Sequence, residues 1–196
     1  GQLSATWGLP HLASVGGDLV VSEVGGVARL HFPRLEQVGG DLVLQDLSDL
    51  EELRTFNDLR GVHGSFAVRR NPALREVQHV YWLTSVGGDL TLSSLPSLEL
   101  VQAMPLVEQI DGALRLTDLP ELGSVVGLSR LTQVGGDLEL RQLTELGGLP
   151  DFAALQQVGG DLVVLGNPAL PQGAVAGLLD ALGEDGVQGI VRTDVP

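Results

Sequence analysis

The chain has 196 residues, no cysteine and a formal net charge of −14. The negative charge argues against binding to nucleic acid or to anionic lipid, because both need a basic surface, and the absence of cysteine excludes disulfides, thiolate metal sites and cysteine nucleophiles. No apolar run approaches the roughly 18 residues that a membrane helix requires, so no direct membrane insertion is expected.

A five-residue unit, Val-Gly-Gly-Asp-Leu, recurs along the chain with a fixed period. Val15 and Val187 begin the outermost copies, 23 residues before and 29 residues after the regular series. Such a period predicts a solenoid, in which each turn buries its apolar side chains only against its neighbours. The regular copies are spaced by 24 residues and begin at Val38, Val62, Val86, Ile110, Val134 and Val158.

Residues 1–14 are predicted to form a partial turn that caps the N-terminal end. Leu3, Leu9 and Leu12 continue an apolar spacing of three residues backward from Val15, and Trp7 lies in the same segment. A cap is expected because the first turn of a solenoid would otherwise expose its core and an unpaired strand edge.

Residues 15–170 contain the repeats, numbered here from the Val or Ile as position 1. Apolar residues at positions 1, 5 and 7 predict one short strand with a buried face. Apolar residues then recur every three positions, at 13, 16, 19 and 22, which indicates a chain that turns corners with one side chain inward at each. The glycine at position 3 predicts either a positive φ or a lack of room for a Cβ atom. These glycines are Gly17, Gly40, Gly64, Gly88, Gly112, Gly136 and Gly160.

Residues 171–196 are predicted to close the C-terminal end with a helix and a strand. Gly183 and Gly186 can end the helix, and a final strand is expected near Val187 to Arg192. One apolar helical face is formed by Ala174, Val175, Leu178, Leu179 and Leu182.

The motif Val-Gly-Gly-Asp-Leu-x-Leu and the Asn-Pro-Ala-Leu turns at Asn71 and Asn167 resemble the receptor L-domain repeat. This leucine-rich β-solenoid occurs in growth-factor receptor ectodomains and in many microbial surface proteins, and the resemblance covers roughly residues 9 to 170. It implies parallel strands, a bacterial cell-surface or extracytoplasmic location and a role in binding or adhesion, although a cytoplasmic location is also compatible with the sequence. We therefore predict a mainly β fold, a single right-handed parallel β-solenoid domain over residues 1–196 with about 24 residues per turn and a C-terminal capping helix.

Five aspartates share position 4, and two interpretations of them are possible. They are either catalytic or cation-binding carboxylates, or acceptors for local backbone N–H groups at a turn. Ser65 and Ala113 interrupt the series, which favours the second reading. We predict no cofactor and no metal, since the four histidines also lack the close spacing of a zinc site. The aspartates are Asp18, Asp41, Asp89, Asp137 and Asp161.

The stretch from residue 54 to residue 82 is rich in arginine and aromatic residues. Tyr81 and Trp82 fall at positions 20 and 21, where other turns carry polar residues, so both should be exposed. Exposed aromatics beside arginine are typical of interfaces, although arginine stems that merely cover Trp82 would give the same pattern. The candidate partner-binding residues are Arg54, Arg69, Arg70, His79, Tyr81 and Trp82.

The function expected from these observations is a non-enzymatic binding or adhesion scaffold whose ligand is a protein or a glycan. One alternative is a structural element that self-associates into an assembly. A second alternative is a polysaccharide-active solenoid enzyme, but no Lys or Arg base beside clustered acids is recognisable in the sequence.

Overall fold

The computed structural model describes residues 5–149 and 152–195. The fold is a parallel β-solenoid of about 7 turns with about 24 residues per turn, and it has one short C-terminal helix. A typical turn contributes one strand to each of three sheets, and the strands within each sheet pair in parallel. Residues 1–4, 150, 151 and 196, which belong to the predicted 1–196 domain, lie outside the described part.

The first sheet, called sheet 1, is formed by two-residue strands at positions 24 and 1 of successive turns. The residue at position 1 points inward and is buried in the regular repeats, whereas position 24 faces outward. Its strands, in spatial order, are Ser14–Val15, Gln37–Val38, Gly61–Val62, Ser85–Val86, Gln109–Ile110, Gln133–Val134 and Gln157–Val158.

The second sheet, called sheet 2, is formed by four-residue strands at positions 5 to 8, and a three-residue strand ends it. The inward residues at positions 5 and 7 are buried in the four-residue strands from the second turn onward, whereas the last strand is exposed. Leu42, Phe66 and Leu90 lie in register, so that equivalent residues of successive turns are direct neighbours. The strands are Leu19–Ser22, Leu42–Gln45, Phe66–Arg69, Leu90–Ser93, Leu114–Thr117, Leu138–Arg141, Leu162–Leu165 and Val191–Thr193.

The third sheet, called sheet 3, corrects the prediction that positions after 8 only turn corners. In the regular repeats position 16 lies in a strand of two or three residues, which is too short to show alternation because only one of its side chains is buried. The single strand predicted from position 1 to position 7 is also wrong, because the chain bends at Gly-Gly-Asp and divides that segment between sheets 1 and 2. The strands of sheet 3 are Ala5–Gly8, Val27–His31, Glu52–Leu53, Glu76–Gln78, Leu100–Gln102 and Val125–Val126.

The three sheets enclose a core made mainly of leucine and valine. Leu50, Leu74 and Leu98, which are equivalent residues of three turns, are completely buried and belong to one contiguous cluster. Phe32 stacks on Phe56 with ring centroids 5.9 Å apart, which adds to the stabilisation from apolar burial. Each turn is therefore stabilised mainly by the turns before and after it.

A left-handed residue stands at position 9 of each turn, where the chain leaves sheet 2. The chain turns this corner through one residue with a positive φ. In most turns this residue is not glycine, although a positive φ costs conformational free energy for any other residue. The position-3 glycines do not have a positive φ, so that alternative of the prediction is wrong. The residues at position 9 are Glu23, Asp46, Arg70, Ser94, Asp118, Gln142 and Gly166.

The second alternative for the position-3 glycines, a lack of room, is confirmed from the second turn onward. A Cβ on Gly64 would collide with the Asp41 carboxylate and would lie only 2.7 Å from the Gly40 carbonyl carbon. No described turn precedes Gly17 in the stack, and a Cβ there would meet nothing within 4 Å. The constraint therefore arises from stacking between turns and not from local backbone conformation.

The position-4 side chains accept backbone hydrogen bonds, but from the next turn and not locally as predicted. Asp18 accepts a hydrogen bond from the Asp41 N–H at 2.8 Å, and Asp41 accepts one from the Ser65 N–H at 2.7 Å. The series ends at the Ile190 N–H, which donates to Asp161. In the same way, the backbone N–H groups of Asp89, Ala113 and Asp161 donate to the side chains of Ser65, Asp89 and Asp137, respectively.

The C-terminal end is closed as predicted by a helix, Ala174–Leu182, which ends at Gly183 with φ 74°. The helix buries Val175, Leu178 and Leu182 against the last turn. The final strand is Val191–Thr193 and therefore begins later than predicted, since Val187 makes only an isolated bridge to Val158. None of the described helical residues form a segment long and apolar enough to cross a membrane.

Candidate binding surface at an aromatic corner

Tyr81 and Trp82 lie on the corner between sheets 3 and 1, between the strands Glu76–Gln78 and Ser85–Val86. Val80 before them and Leu83 after them are completely buried. These two anchors direct the intervening side chains outward, and Tyr81 and Trp82 are 42% and 54% exposed. The predicted exposure of both aromatic residues is confirmed.

The following turn extends this apolar surface along the solenoid axis. Pro105 and Leu106 occupy positions 20 and 21 of that turn and are half-buried. The Met104 N–H donates to the Val80 carbonyl oxygen at 3.1 Å, so the two corners are stacked directly on each other. We refer to His79, Tyr81, Trp82, Pro105 and Leu106 as the aromatic corner.

The backbone at this corner departs from the regular pattern of the repeats. His79 and Met104 have φ values of 63° and 60°, and they are the non-glycine residues with positive φ outside position 9 among those the structure describes. Gly127, in the next turn, has φ 128°. Such left-handed residues are costly and concentrate at binding sites more often than elsewhere. The His79 ring lies 5.3 Å from the Tyr81 ring, so the two rings support each other.

Arg54 lies on the sheet 3 side of this corner, in the preceding turn. It forms ion pairs with Glu52 and Glu76. The hydrogen bond with Glu76 is the main cause of the raised pKa of Arg54, and Tyr81 contributes a smaller electrostatic effect in the same direction. Arg54 therefore belongs to the neighbourhood of Tyr81, but glutamates already hold its guanidinium.

Arg69 and Arg70 lie at a different corner, where sheet 2 leads toward sheet 3. The Arg69 Nε donates to the Gln45 Oε1 at 2.8 Å, and the Arg70 guanidinium makes two hydrogen bonds of 2.8 Å to the Asp46 carboxylate. The hydrogen bond from Arg70 holds the pKa of Asp46 below its usual value. Of the six predicted contact residues, the structure thus groups Arg54, His79, Tyr81 and Trp82 and separates them from Arg69 and Arg70 by the width of sheet 3.

The candidate contact residues predicted from the sequence did not include three arginines that flank the aromatic corner, nor Pro105 and Leu106. Arg34 and Arg130 share position 21 with Trp82, and Arg60 stands at position 23 of the turn before it. Their side chains make no hydrogen bond or ion pair with any residue that the structure describes. The signal that would have found them is the same alignment of turns, read down columns instead of along the chain.

The outer face of sheet 2 carries a chain of alternating charges. Arg115 pairs with Asp89 and with Glu139, and Arg141 donates to Glu139 at 2.8 Å. Burial raises the pKa of Asp89, but hydrogen bonds from the Ala113 N–H and Arg115 outweigh it, and the resulting pKa lies below the usual value. Burial likewise opposes the two arginines at Glu139, whose pKa is also lowered. These charges are therefore paired with one another across neighbouring strands.

The described part of the chain also carries surface depressions away from the aromatic corner. A depression of about 240 Å³ near the C-terminal end is lined by Gly166, Asn167, Leu170 and Asp194. Within residues 5–149 and 152–195, no cluster of three His, Asp or Glu side chains is arranged to hold a metal ion. The position-4 carboxylates are occupied by backbone N–H groups, as described above.

Comparisons with protein-family models, with curated proteins and with solved structures return no match to this chain. The inference of function therefore rests on the geometry of the surface and on the chemistry of its side chains.

Proposed function

We propose that the chain is a non-enzymatic binding or adhesion module that contacts a protein or a glycan through the aromatic corner. The observation that carries this proposal is the pair of exposed aromatics, Tyr81 and Trp82, held between the buried anchors Val80 and Leu83. Large, rigid, amphipathic side chains provide much contact area at a low cost in conformational entropy. A solenoid supplies the rigid support that such a surface needs.

The resemblance of the repeats to the receptor L domain supports this proposal and adds a location. It favours a bacterial cell surface or extracytoplasmic space, where leucine-rich solenoids of this type bind or adhere. Binding at an exposed corner of this kind requires no cofactor.

The proposal is tested with the double variant Tyr81→Ala/Trp82→Ala. We expect it to lose at least about tenfold in affinity for a partner captured from the native surface fraction, which corresponds to about 1.4 kcal/mol. The thermal midpoint should change little, because both side chains point away from the core.

A matched control is the double variant Val20→Ala/Ile190→Ala, which removes comparably exposed apolar side chains at the two ends of the solenoid. This control should bind as the native chain does. Unchanged affinity in the Tyr81→Ala/Trp82→Ala variant, or an equal loss of affinity in both variants, would show that the aromatic corner is not the binding surface.

A further inference from the structure

We infer that the ligand of the aromatic corner is an uncharged glycan chain that lies along the solenoid axis, over Tyr81 and Trp82 and then over Pro105 and Leu106. This inference rests on the proposed function and narrows its ligand class.

The shape of the apolar surface is the first step. It is a ridge two residues wide, which continues from one turn to the next at the strand spacing of about 4.8 Å. On the sheet 3 side it is bordered by the Arg54–Glu76 ion pair, and on the sheet 1 side by outward glutamines such as Gln109 and Gln133. A stable protein interface usually needs about 800 Å² from each partner with an apolar centre. A narrow strip with polar borders fits a thin linear ligand better than a protein face.

The chemistry of the borders is the second step. A sugar ring has an apolar C–H face that stacks on aromatic rings and a rim of hydroxyl groups that needs hydrogen-bond partners. Asn57 and Asp58 occupy positions 20 and 21 in the turn before Tyr81 and Trp82, and Gln102 stands on the adjacent edge of sheet 3. All three are exposed, and their side chains make no hydrogen bond or ion pair with another described residue. Amide groups can donate to and accept from sugar hydroxyls, and a carboxylate can accept from them.

The third step concerns the distribution of charge, which favours an uncharged glycan over an acidic one. Although the whole chain carries −14, this corner is balanced. Its charges at positions 21 and 23 are Arg34, Arg60 and Arg130 against Glu36, Asp58 and Glu108. An acidic glycan would be repelled by the net charge and would find no local excess of cations to offset that repulsion. An uncharged chain is not repelled and needs no ion pair.

The test uses Trp82 itself as the reporter. The two tryptophans of the chain are Trp7 and Trp82, so the variant Trp7→Phe leaves Trp82 as the sole indole fluorophore. Trp82 emission is then titrated with neutral cello-, chito- and manno-oligosaccharides of increasing length, and with oligogalacturonates as the acidic arm. We expect a saturable change with the neutral probes, an affinity that rises with oligosaccharide length as more turns are covered, and little dependence on salt.

Two variants in the Trp7→Phe background complete the design. Tyr81→Ala should weaken binding of the neutral oligosaccharide by about tenfold, whereas Val20→Ala should leave it unchanged. Equal or tighter binding of the oligogalacturonates would overturn the uncharged class.

The failure of this inference is distinguishable from the failure of the proposed function. If no oligosaccharide binds but the Tyr81→Ala/Trp82→Ala variant still loses a captured protein partner, the glycan is wrong and the binding module stands. If neither the oligosaccharides nor a captured partner depends on the aromatic corner, both proposals are wrong.

Discussion

The Asp41 carboxylate accepts a hydrogen bond of 2.7 Å from the Ser65 N–H, one turn later in the chain. The same carboxylate fills the space beside Gly64 that a Cβ atom would need. In the turns that carry an aspartate at position 4, the recurrence of Gly and Asp is thus explained by one contact between turns, in which the aspartate of one turn leaves no room for a Cβ atom at the glycine of the next.

Gly64→Ala should lower the free energy of unfolding by about 1–3 kcal/mol, because the added methyl group must displace both the Asp41 carboxylate and the Gly40 backbone. Gly17→Ala is the matched control, since Gly17 occupies the same position of its repeat but has open space around it. Urea denaturation of both variants measures the difference. Equal destabilisation would mean that the glycine is needed for local conformation and not for stacking.

Ala113→Asn should raise the free energy of unfolding by about 1 kcal/mol. Ala113 interrupts the series of position-4 acceptors, and the Asp137 N–H that would donate to it has no partner among the described residues. An asparagine there supplies the missing oxygen without adding a third charge between Asp89 and Asp137. The reciprocal change, Ser65→Ala, removes an existing acceptor from the Asp89 N–H and should destabilise the chain by a similar amount. Shifts of the same sign in both variants would contradict the role assigned to this series.

Asn71→Ala should lower the free energy of unfolding by about 2–4 kcal/mol, because two buried backbone groups lose their partner. The Asn71 Oδ1 accepts from the Leu47 N–H at 2.9 Å, and its Nδ2 donates to the Leu44 carbonyl oxygen at 3.1 Å. Asn57→Ala, at an exposed position without such bonds, should change stability by less than about 0.5 kcal/mol. Chemical denaturation of the two variants distinguishes a structural asparagine from an ordinary surface one.

Two adjacent serines should respond to glycine with opposite signs. Ser94 has φ 52° at the left-handed corner, and relief of that strain should outweigh the flexibility of glycine, so Ser94→Gly should stabilise by about 0.5–1 kcal/mol. Ser93 ends the strand Leu90–Ser93, where Ser93→Gly should destabilise by about 0.5–1 kcal/mol. Thermal denaturation followed by circular dichroism measures both. A loss of stability in both variants would argue against strain at position 9.

Stability should fall as the pH is lowered below about 4, where the carboxylates of the unfolded chain take up protons. Asp46, Asp49, Asp89 and Glu139 have lowered pKa values in the folded chain. Their contribution is therefore complete above the unfolded pKa and is lost as the pH falls through the folded pKa. The urea midpoint between pH 7 and pH 3 measures this loss.

Arg115→Gln should reduce this dependence, because it removes a partner of both Asp89 and Glu139. An unchanged pH profile in that variant would mean that the ion pairs on sheet 2 do not contribute to acid stability.

The sequence was sufficient to predict the repeat, the buried columns and the capping helix, because these follow from apolar spacing alone. The column of Leu50, Leu74 and Leu98 is one example, and the helix Ala174–Leu182 is another. Sheet 3 was not predictable, since the strand Glu52–Leu53 has a single inward side chain and therefore no alternation. The hydrogen bond from Ser65 to Asp41 was also hidden, because it joins residues that only the stacking of turns brings together.

For the candidate site, the sequence predicted which aromatic residues are exposed but not which residues lie close together. Tyr81 and Trp82 were correctly predicted to be exposed, because their alignment columns hold polar residues in other turns. Arg69 and Arg70 were grouped with them because they are near in sequence. In a solenoid, however, residues about half a turn apart lie on different sides, whereas Trp82 and Leu106, a full turn apart, are neighbours.

The strict register between turns also determines how such a protein can change its length. Between Val38 and Val158 every turn has the same number of residues, so the loss or duplication of one complete window leaves all remaining contacts intact and makes the rod shorter or longer. A single-residue insertion before the glycine of one turn would instead shift that glycine away from the aspartate of the turn before it, whereas later turns would keep their register with one another. Copying whole segments of the gene would therefore change the length of this molecule without disturbing the contacts between turns, whereas a single-residue insertion would disturb one of them.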